Sequence, residues 1–257
     1  TTKKGRLGKT SVEYNSFVGL EKISNQLNVL SADQWRDATA AIGGGGLDKG
    51  ANIDWQKEIS QTGISHSHTI GLSGGSDLFN FRGSIGYTRQ EGEIINTGKV
   101  VLTNRLTANQ KSFKNKLEIR YGINSSVIKR DFLLDQNSTN QVRTRGSDIF
   151  DQTLGYLPIL PAYNPDGSYY QMANNNTVNP LYLLKEGYSK QRENFFQSTV
   201  KADYQLIKGL KTGVLGALSR ANDVYDFFYP GIVDRNEKSV ASKSNQNKQI
   251  FSGDIHG

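Results

Sequence analysis

Hydrophobic and polar residues alternate with a period of two along several segments of this chain. The clearest segment spans residues 117–127, where alternate positions are apolar: Leu117, Ile119, Tyr121, Ile123 and Val127. The residues between them are small or polar and include Glu118 and Arg120. Because successive side chains of a β-strand point to opposite faces, this segment predicts a strand with one apolar face and one face that needs water.

The same pattern recurs along the chain and predicts about eight strands in total. Sharp alternation marks residues 12–20, 79–88 and 100–108, and weaker alternation marks residues 65–74, 195–204, 211–220 and 246–255. Each segment is close to the roughly 9–11 residues that a tilted strand needs to cross a bilayer. These lengths favour the strands of a transmembrane barrel.

The connections between the predicted strands alternate in length. Short connections cover residues 74–77, 109–114 and 205–210, and longer ones cover residues 21–64, 89–98, 130–194 and 221–245. In an up-and-down antiparallel sheet, every second connection lies on the same side. Outer-membrane barrels have this asymmetry, with short turns at one rim and long outer loops at the other.

Two local signals occur inside the long connections. Ser31, with Gln34 three residues later, predicts the capped start of a short helix in the first outer loop, and residues 43–46 are four glycines that end it. The run Asn164-Pro165-Asp166-Gly167 has proline and glycine where a type I β-turn favours them.

The composition argues against a large dry core, since only 35% of the residues are hydrophobic, 27 are glycine and the mean hydropathy is -0.56. No run approaches the roughly 18 apolar residues of a membrane helix, which excludes a helical membrane protein. The chain has no cysteine, which removes disulfides and thiol chemistry.

The net charge is +7, but the lysine and arginine residues are scattered instead of forming one block. We therefore predict no nucleic-acid partner. Basic outer loops would instead suit the phosphates of a lipopolysaccharide surface.

Possible metal and catalytic groups are sparse. His66 and His68 would share a strand face with only His256 available as a third ligand, so we interpret them as surface or interfacial residues and predict no metal site. The glycines at 43–46 lack the lysine and serine or threonine of a phosphate loop. The carboxylate pairs Asp131 with Asp135 and Asp223 with Asp226 have no histidine partner, so we predict no cofactor and no enzyme.

The long connection 130–194 is rich in tyrosine and asparagine. Aromatic faces beside amides can stack on sugar rings and bind hydroxyl groups, but they can also pack a loop or contact a partner protein. Both interpretations stay open from the residues alone. The candidate ligand or partner contacts are Tyr156, Tyr163, Asn164, Asp166, Tyr169, Tyr170, Asn175 and Asn179.

Several short motifs follow one another in a specific order. They read TTKKG at residues 1–5, NIDWQKEI at 52–59, LSGGS at 72–76, GYTRQEG at 86–92, YNPDGSY at 163–169 and NPL at 179–181. In this order and spacing they resemble the SusC/RagA family of TonB-dependent outer-membrane transporters. The resemblance runs from Thr1 to about Leu181.

The resemblance implies an all-β fold, an antiparallel up-and-down transmembrane β-barrel. Residues 1–10 would end a plug domain, and residues 11–257 would form about the first eight strands of a larger plugged barrel, which has roughly 22 strands in this class. We therefore expect the chain to be a fragment of a longer protein. Lys116, Glu118 and Arg120 are expected to face the plug.

The resemblance further implies TonB-dependent import of glycans or peptides through the bacterial outer membrane. The expected partners are a SusD-like surface lipoprotein, the TonB complex acting through the plug, the glycan or peptide substrate and outer-membrane lipid. The alternative is a soluble or surface-attached β-sandwich that binds carbohydrate, with Leu117, Ile119 and Tyr121 in its core.

Overall fold

The computed structural model describes residues 8–44, 46–133, 149–172, 177–231 and 238–256. In these ranges the strands are β1 Gly8–Glu21, β2 Gly63–Gly75, β3 Phe79–Glu91, β4 Gly98–Ser112, β5 Leu117–Phe132, β6 Tyr188–Ile207, β7 Leu210–Tyr229 and β8 Val240–His256. The helices are α1 Ala32–Ala41, α2 Trp55–Ile59, α3 Ile149–Gly155 and α4 Pro180–Glu186. None of these helices is long and apolar enough to cross a membrane.

All eight strands lie in one sheet in the order β1 to β8, and each strand pairs antiparallel with the next one along the chain. This arrangement confirms the predicted up-and-down topology and matches a fragment of a β-barrel. The described strands do not form the two packed sheets that a β-sandwich requires. The sandwich alternative therefore does not fit the structure.

The strand register brings the apolar residues of neighbouring strands together on one face. Ile70 lies opposite Ile85, Leu106 opposite Ile123, and Tyr121 opposite Val200. We call this side the apolar face, and many of its side chains are open to the surroundings, including Val12 at 70%, Ile85 at 58% and Phe251 at 70% exposure. Large apolar side chains exposed in a continuous band are the expected lipid-facing surface of a barrel.

The opposite side, which we call the polar face, carries ion pairs that reach across a middle strand. Arg82 on β3 binds Glu13 on β1 at 2.8 Å, and Gly71 of β2 lies between them. His256 on β8 approaches Asp203 on β6 at 2.9 Å, with the middle strand β7 between them. Side chains two strands apart meet readily on the concave side of a curved sheet. The polar face is therefore the inner face.

A glycine on the middle strand makes the second of these contacts possible. Gly213 of β7 lies between Asp203 and His256. A Cβ atom at residue 213 would lie 2.6 Å from Asp203 Oδ1 and 2.7 Å from His256 Nε2. Any larger residue would push the two side chains apart, so the glycine keeps the inner face open for polar contacts.

The strands are longer than the alternation predicted, with lengths from 13 residues in β2 to 20 residues in β6. The predicted loop boundaries at 130–194 and 221–245 are wrong, because β5 continues to Phe132, β6 begins at Tyr188, and β7 continues to Tyr229 before β8 begins at Val240. The alternation fades toward this rim although the backbone pairing continues. Strand ends with water on both faces no longer need one apolar face.

Lys116 lies at the end of the tight turn between β4 and β5, in which Phe113, Lys114 and Asn115 have positive φ, and its carbonyl accepts from the Gln205 amide of β6. That Lys116 faces a plug stays a prediction. Helices α2, α3 and α4 were not predicted, because each is a short segment of 5 or 7 residues whose stability comes from packing.

The predicted helix in the first loop is confirmed. Ser31 caps α1 by accepting a hydrogen bond from the Gln34 amide, and Gln34 Oε1 accepts from the Ser31 amide in return. Gly43 has φ of 71° just after the helix, a conformation that glycine adopts without strain. The predicted β-turn also closes, since the Gly167 amide donates to Asn164 O at 2.9 Å.

Helices α2, α3 and α4 pack together with residues 156–172 at the long-loop rim, and we call this unit the loop lobe. Its small core also includes Ile94 from the β3–β4 connection and Phe227 and Tyr229 from the polar face of β7. The lobe is therefore anchored on the inner side of the sheet. Its buried apolar members from the loops are Trp55, Ile59, Ile149, Tyr156, Ile159, Leu160, Met172, Val178, Leu181, Leu183 and Leu184.

We expect Ile119→Arg to destabilise the barrel by about 2–4 kcal/mol, because it places a charge on the apolar face. The control Glu118→Gln keeps a polar group on the inner face and should have a mild effect. Urea unfolding of the intact protein in liposomes would measure both variants. Equal destabilisation by the two substitutions would contradict the assignment of the faces.

Candidate ligand and partner surface in the outer loops

The interior of the loop lobe is organised around Trp55 and Tyr156. Asp54 caps α2 by accepting from the Lys57 amide at 3.1 Å, which sets the direction of the helix and places Trp55 in the core. The Trp55 indole donates to Leu157 O at 3.0 Å, and its ring meets the Tyr156 ring edge-on at 4.8 Å. Tyr156 is only 2% exposed and its hydroxyl donates to Tyr170 O. Tyr156 therefore packs the lobe.

Asn179 joins the two halves of the lobe and is fully buried. Its Oδ1 accepts from the Leu181 amide at 3.0 Å and so caps α4, while Pro180 occupies the first turn, where no amide donor is needed. Its Nδ2 donates to Ala162 O at 2.8 Å and to Tyr170 O at 3.0 Å. Every polar atom of this side chain is thus used internally.

The turn at residues 163–169 projects from the lobe and is held by side-chain hydrogen bonds. Asn164 Nδ2 donates to Ser168 Oγ at 2.9 Å. Asp166 accepts from both the hydroxyl and the amide of Ser168, and these hydrogen bonds lower the pKa of its carboxyl group. Asp166 is exposed and ionised at neutral pH, so the turn presents a negative charge at its tip.

Three tyrosines form a ladder beside this turn. The rings of Tyr163 and Tyr169 are 5.3 Å apart, and those of Tyr169 and Tyr182 meet edge-on at 5.3 Å. Lys185 donates to the Tyr163 hydroxyl at 2.8 Å, and the Tyr169 hydroxyl donates to Glu186 at 3.0 Å. We call Tyr163, Tyr169 and Tyr182 the tyrosine ladder. Its outer member, Tyr163, is 39% exposed.

Tyr169 and Tyr182 of the ladder remain neutral hydrogen-bonding groups over the physiological range. Burial, together with the hydrogen bond to Glu186, raises the pKa of Tyr169 to about 12. Burial and the nearby Glu186 charge also raise the pKa of Tyr182. The ladder therefore offers aromatic faces between one cation, Lys185, and one anion, Glu186. Such a surface can stack on a sugar ring or on an apolar peptide side chain while its charged groups bind polar atoms.

The eight candidate residues differ in how deeply they are buried. Tyr156 and Asn179 are buried, whereas Tyr163 and Asp166 are exposed. Asn164, Tyr169 and Tyr170 are half-buried, and the Tyr170 amide donates to Ala162 O. Asn175 lies outside the described residues.

The sequence prediction left out Tyr182, Lys185 and Glu186. These residues stand at positions i, i+3 and i+4 of α4 and therefore share one helix face, while Leu181, Leu183 and Leu184 are buried. The start of the helix at Asn179-Pro180 was the available signal. If helical positions are counted from Asn179, the three residues fall on one face of the helix.

Two open clefts border the loop lobe. One of about 610 Å³ lies beside Lys185 and Glu186 and extends to Arg89, Lys99 and Asp131 at the rim of the sheet. The other, of about 990 Å³, lies between the segment 26–35, helix α2 and the end of α3. Both clefts contain polar and apolar groups, as a site for an oligomeric ligand requires.

The histidines and paired carboxylates do not converge on one site. His66 and His68 lie on the apolar face with ring nitrogens 3.2 Å apart, whereas His256 contacts Asp203 on the polar face. Asp223 and Asp226 point to opposite faces of β7, and Asp135 lies outside the described residues. Within the described ranges, no group of three or more potential ligand side chains is placed to hold a metal ion.

Comparison with known proteins gives a consistent result. The chain is 29% identical over 234 residues to TonB-dependent receptor P3 of Formosa agariphila, covering 90% of this chain. It is 30% identical over 233 residues to TonB-dependent receptor SusC of Bacteroides thetaiotaomicron, covering 80% of this chain. No protein-family model matches.

The fold is similar to solved structures of the RagAB peptide importer. The closed-closed state matches with a TM-score of 0.74 and the open-open state with 0.75, each at 17% identity and over 99% of this chain. The chain spans 23% and 22% of the two curated relatives and about a third of the RagAB chain. These likenesses support a SusC/RagA-type fragment of a TonB-dependent receptor.

We expect Asn179→Ala to loosen the loop lobe, because it leaves the Leu181 amide without its cap and removes one of two hydrogen bonds from each of the Ala162 and Tyr170 carbonyl groups. A buried amide left unpaired costs about 1–3 kcal/mol. Hydrogen exchange of the full-length receptor should accelerate in α4 and residues 156–172 but not in β5 or β6. Asn164→Ala, at a half-buried site, serves as the control and should affect only the turn. Unchanged exchange in α4 would contradict the role of Asn179.

Proposed function

Starting from a SusC/RagA-type fragment of a TonB-dependent receptor, we propose that the complete protein imports glycans or peptides through the bacterial outer membrane. The observation that carries this proposal is the sheet with two unlike faces, one a band of exposed apolar side chains and the other a surface of ion pairs. A barrel that crosses a bilayer around a polar lumen has this division. The relatives are transport receptors, and we propose no enzymatic role.

The inner face is suited to contact a plug domain. Glu118 and Arg120 form an ion pair at 2.9 Å, and Arg120 also approaches Asp203 on the neighbouring strand at 3.8 Å. Charged groups that already neutralise one another can exchange partners at modest cost when a plug moves. A TonB complex that acts on the plug would then open a path along these side chains.

The loop lobe is proposed to form part of the substrate cavity at the outer mouth. The lobe is anchored on the inner side of the rim by Phe227 and Tyr229, so its exposed residues stand over the lumen. The tyrosine ladder with Lys185 and Glu186 provides aromatic faces and polar groups for an oligomeric substrate. A SusD-like surface lipoprotein would cover this mouth and close the cavity from outside.

The test of the function is uptake by the native host of the full-length receptor. We expect deletion of the receptor to abolish uptake of fluorescent oligosaccharides or of fluorescent peptides, with monosaccharide uptake unchanged. Loss of an energised TonB complex should have the same effect. The pool that loses uptake identifies the substrate class. Retention of both uptakes in the deletion strain would overturn the proposal.

We further expect Tyr163→Leu to weaken uptake of the transported oligomer several-fold through a higher KM, because the substitution removes a stacking face worth about 0.5–1.5 kcal/mol. Tyr204→Leu is a matched control, since Tyr204 is also 39% exposed but lies at the short-turn rim. Equal effects of the two variants would contradict a substrate role for the ladder. A change in lipoprotein co-purification with unchanged KM would assign Tyr163 to the lid contact instead.

A further inference from the structure

Polar side chains first appear at a defined edge of the apolar band on the long-loop side. On the apolar face of β3 and of β5 to β8, the first charged or amide residues beyond the apolar run are Arg89, Lys129, Asn194, Arg220 and Gln249. These are cations and amides. The carboxylates of β3, β5 and β7 on this face, Glu91, Asp131 and Asp226, lie farther toward the loops, and Glu91 pairs with Arg89 at 3.1 Å. The edge of the band therefore favours anions and hydroxyl groups.

Two cations at this edge face each other directly. Lys129 on β5 lies opposite Arg192 on β6, and both are exposed on the apolar face. Their other cross-strand neighbours are Val100 and Val224. Among the described residues, neither cation has a carboxylate partner within ion-pair distance. Like charges placed directly opposite one another destabilise a strand pair. A bound anion would therefore reduce the repulsion between Lys129 and Arg192.

Arg220 extends the same surface along β7. It lies opposite Phe196 and Gln249, and it borders a shallow cleft of about 350 Å³ that includes Asn194, Asn222 and Asn247. Asn222 Nδ2 donates to Asn247 Oδ1 at 2.6 Å, and Asn194 Nδ2 donates to Asn222 Oδ1 at 3.3 Å. Phe196 lines the side of this cleft that borders the apolar band. The cleft thus combines a cation, a row of amides and an apolar edge.

We propose that this surface binds the phosphorylated sugar headgroup of a glycolipid in the outer leaflet. Lys129, Arg192 and Arg220 contact the phosphates, since guanidinium and ammonium groups bind phosphate oxygens strongly. The amide row contacts the sugar hydroxyls, and the acyl chains lie along the apolar band below. The inference rests on the proposed function, because it requires the apolar face to meet a bilayer.

A glycolipid accounts for the whole surface better than a phospholipid does. In the strand register the amide row lies between Arg220 and the Lys129–Arg192 pair, and a glycerophospholipid bound at either cation would leave this row without a role. A sugar headgroup with a phosphate at each end presents its hydroxyl groups at that height. The two opposed cations and the amides are then satisfied by one molecule.

The test compares two variants of the full-length receptor, purified in detergent and titrated with bisphosphorylated lipid A by native mass spectrometry. The first variant carries Lys129→Gln, Arg192→Gln and Arg220→Gln. The control variant carries Lys99→Gln, Arg105→Gln and Lys201→Gln. These substitutions remove three cations from the inner face of β4 and β6. We expect at least about tenfold weaker lipid A binding by the first variant, because it lacks all three cations that contact the phosphates, and unchanged binding by the control.

Three further arms separate the possible results. Dephosphorylated lipid A should bind the unaltered receptor as weakly as lipid A binds the first variant, and inorganic phosphate should not compete at millimolar concentration. Competition by phosphate alone, or equal losses in both variants, would overturn the proposal. Insertion of each variant into phosphatidylcholine vesicles is measured by heat-modifiable gel mobility. Failure of the unaltered receptor to insert would defeat the proposed function, whereas insertion without selective lipid A binding would defeat only this inference.

Discussion

The structure depends on one constraint: every strand must satisfy its backbone hydrogen bonds within the sheet while its alternate side chains meet two different environments. The continuous antiparallel pairing meets the first requirement for β2 to β7, because each of these strands is paired with a neighbour on both sides. The register meets the second, because it aligns residues such as Ile70 with Ile85 and keeps the apolar band unbroken across strands. A slip by one residue would exchange the two faces of a strand.

The inner face follows from the same constraint. Curvature brings the side chains of alternate strands together on this side, and glycine on the middle strand leaves room for them. The contacts of Arg82 with Glu13 and of His256 with Asp203 both use this arrangement. The polar inner face is thereby built from neutralised pairs.

Beyond the apolar band the strands continue into water, and the loop lobe uses their inner side as a platform. The lobe has its own small core and its own buried polar link, Asn179, so it can hold exposed residues in fixed positions. On the outer side at the same height, Lys129 and Arg192 stand opposite each other at the edge of the band. One rim thus carries the tyrosine ladder on its inner side and two opposed cations on its outer side.

The sequence by itself determined the strands, the two faces and the first helix, because strand alternation and the Ser31 capping box are local patterns. It also placed Tyr163 and Tyr169 in one outer loop. Only the tertiary structure decided that Tyr156 is buried while Tyr163 is exposed. It also decided that the strands extend beyond the segments with alternating apolar residues, and that Lys129 lies opposite Arg192. These outcomes depend on register and packing between residues far apart in the chain, for which no local pattern exists.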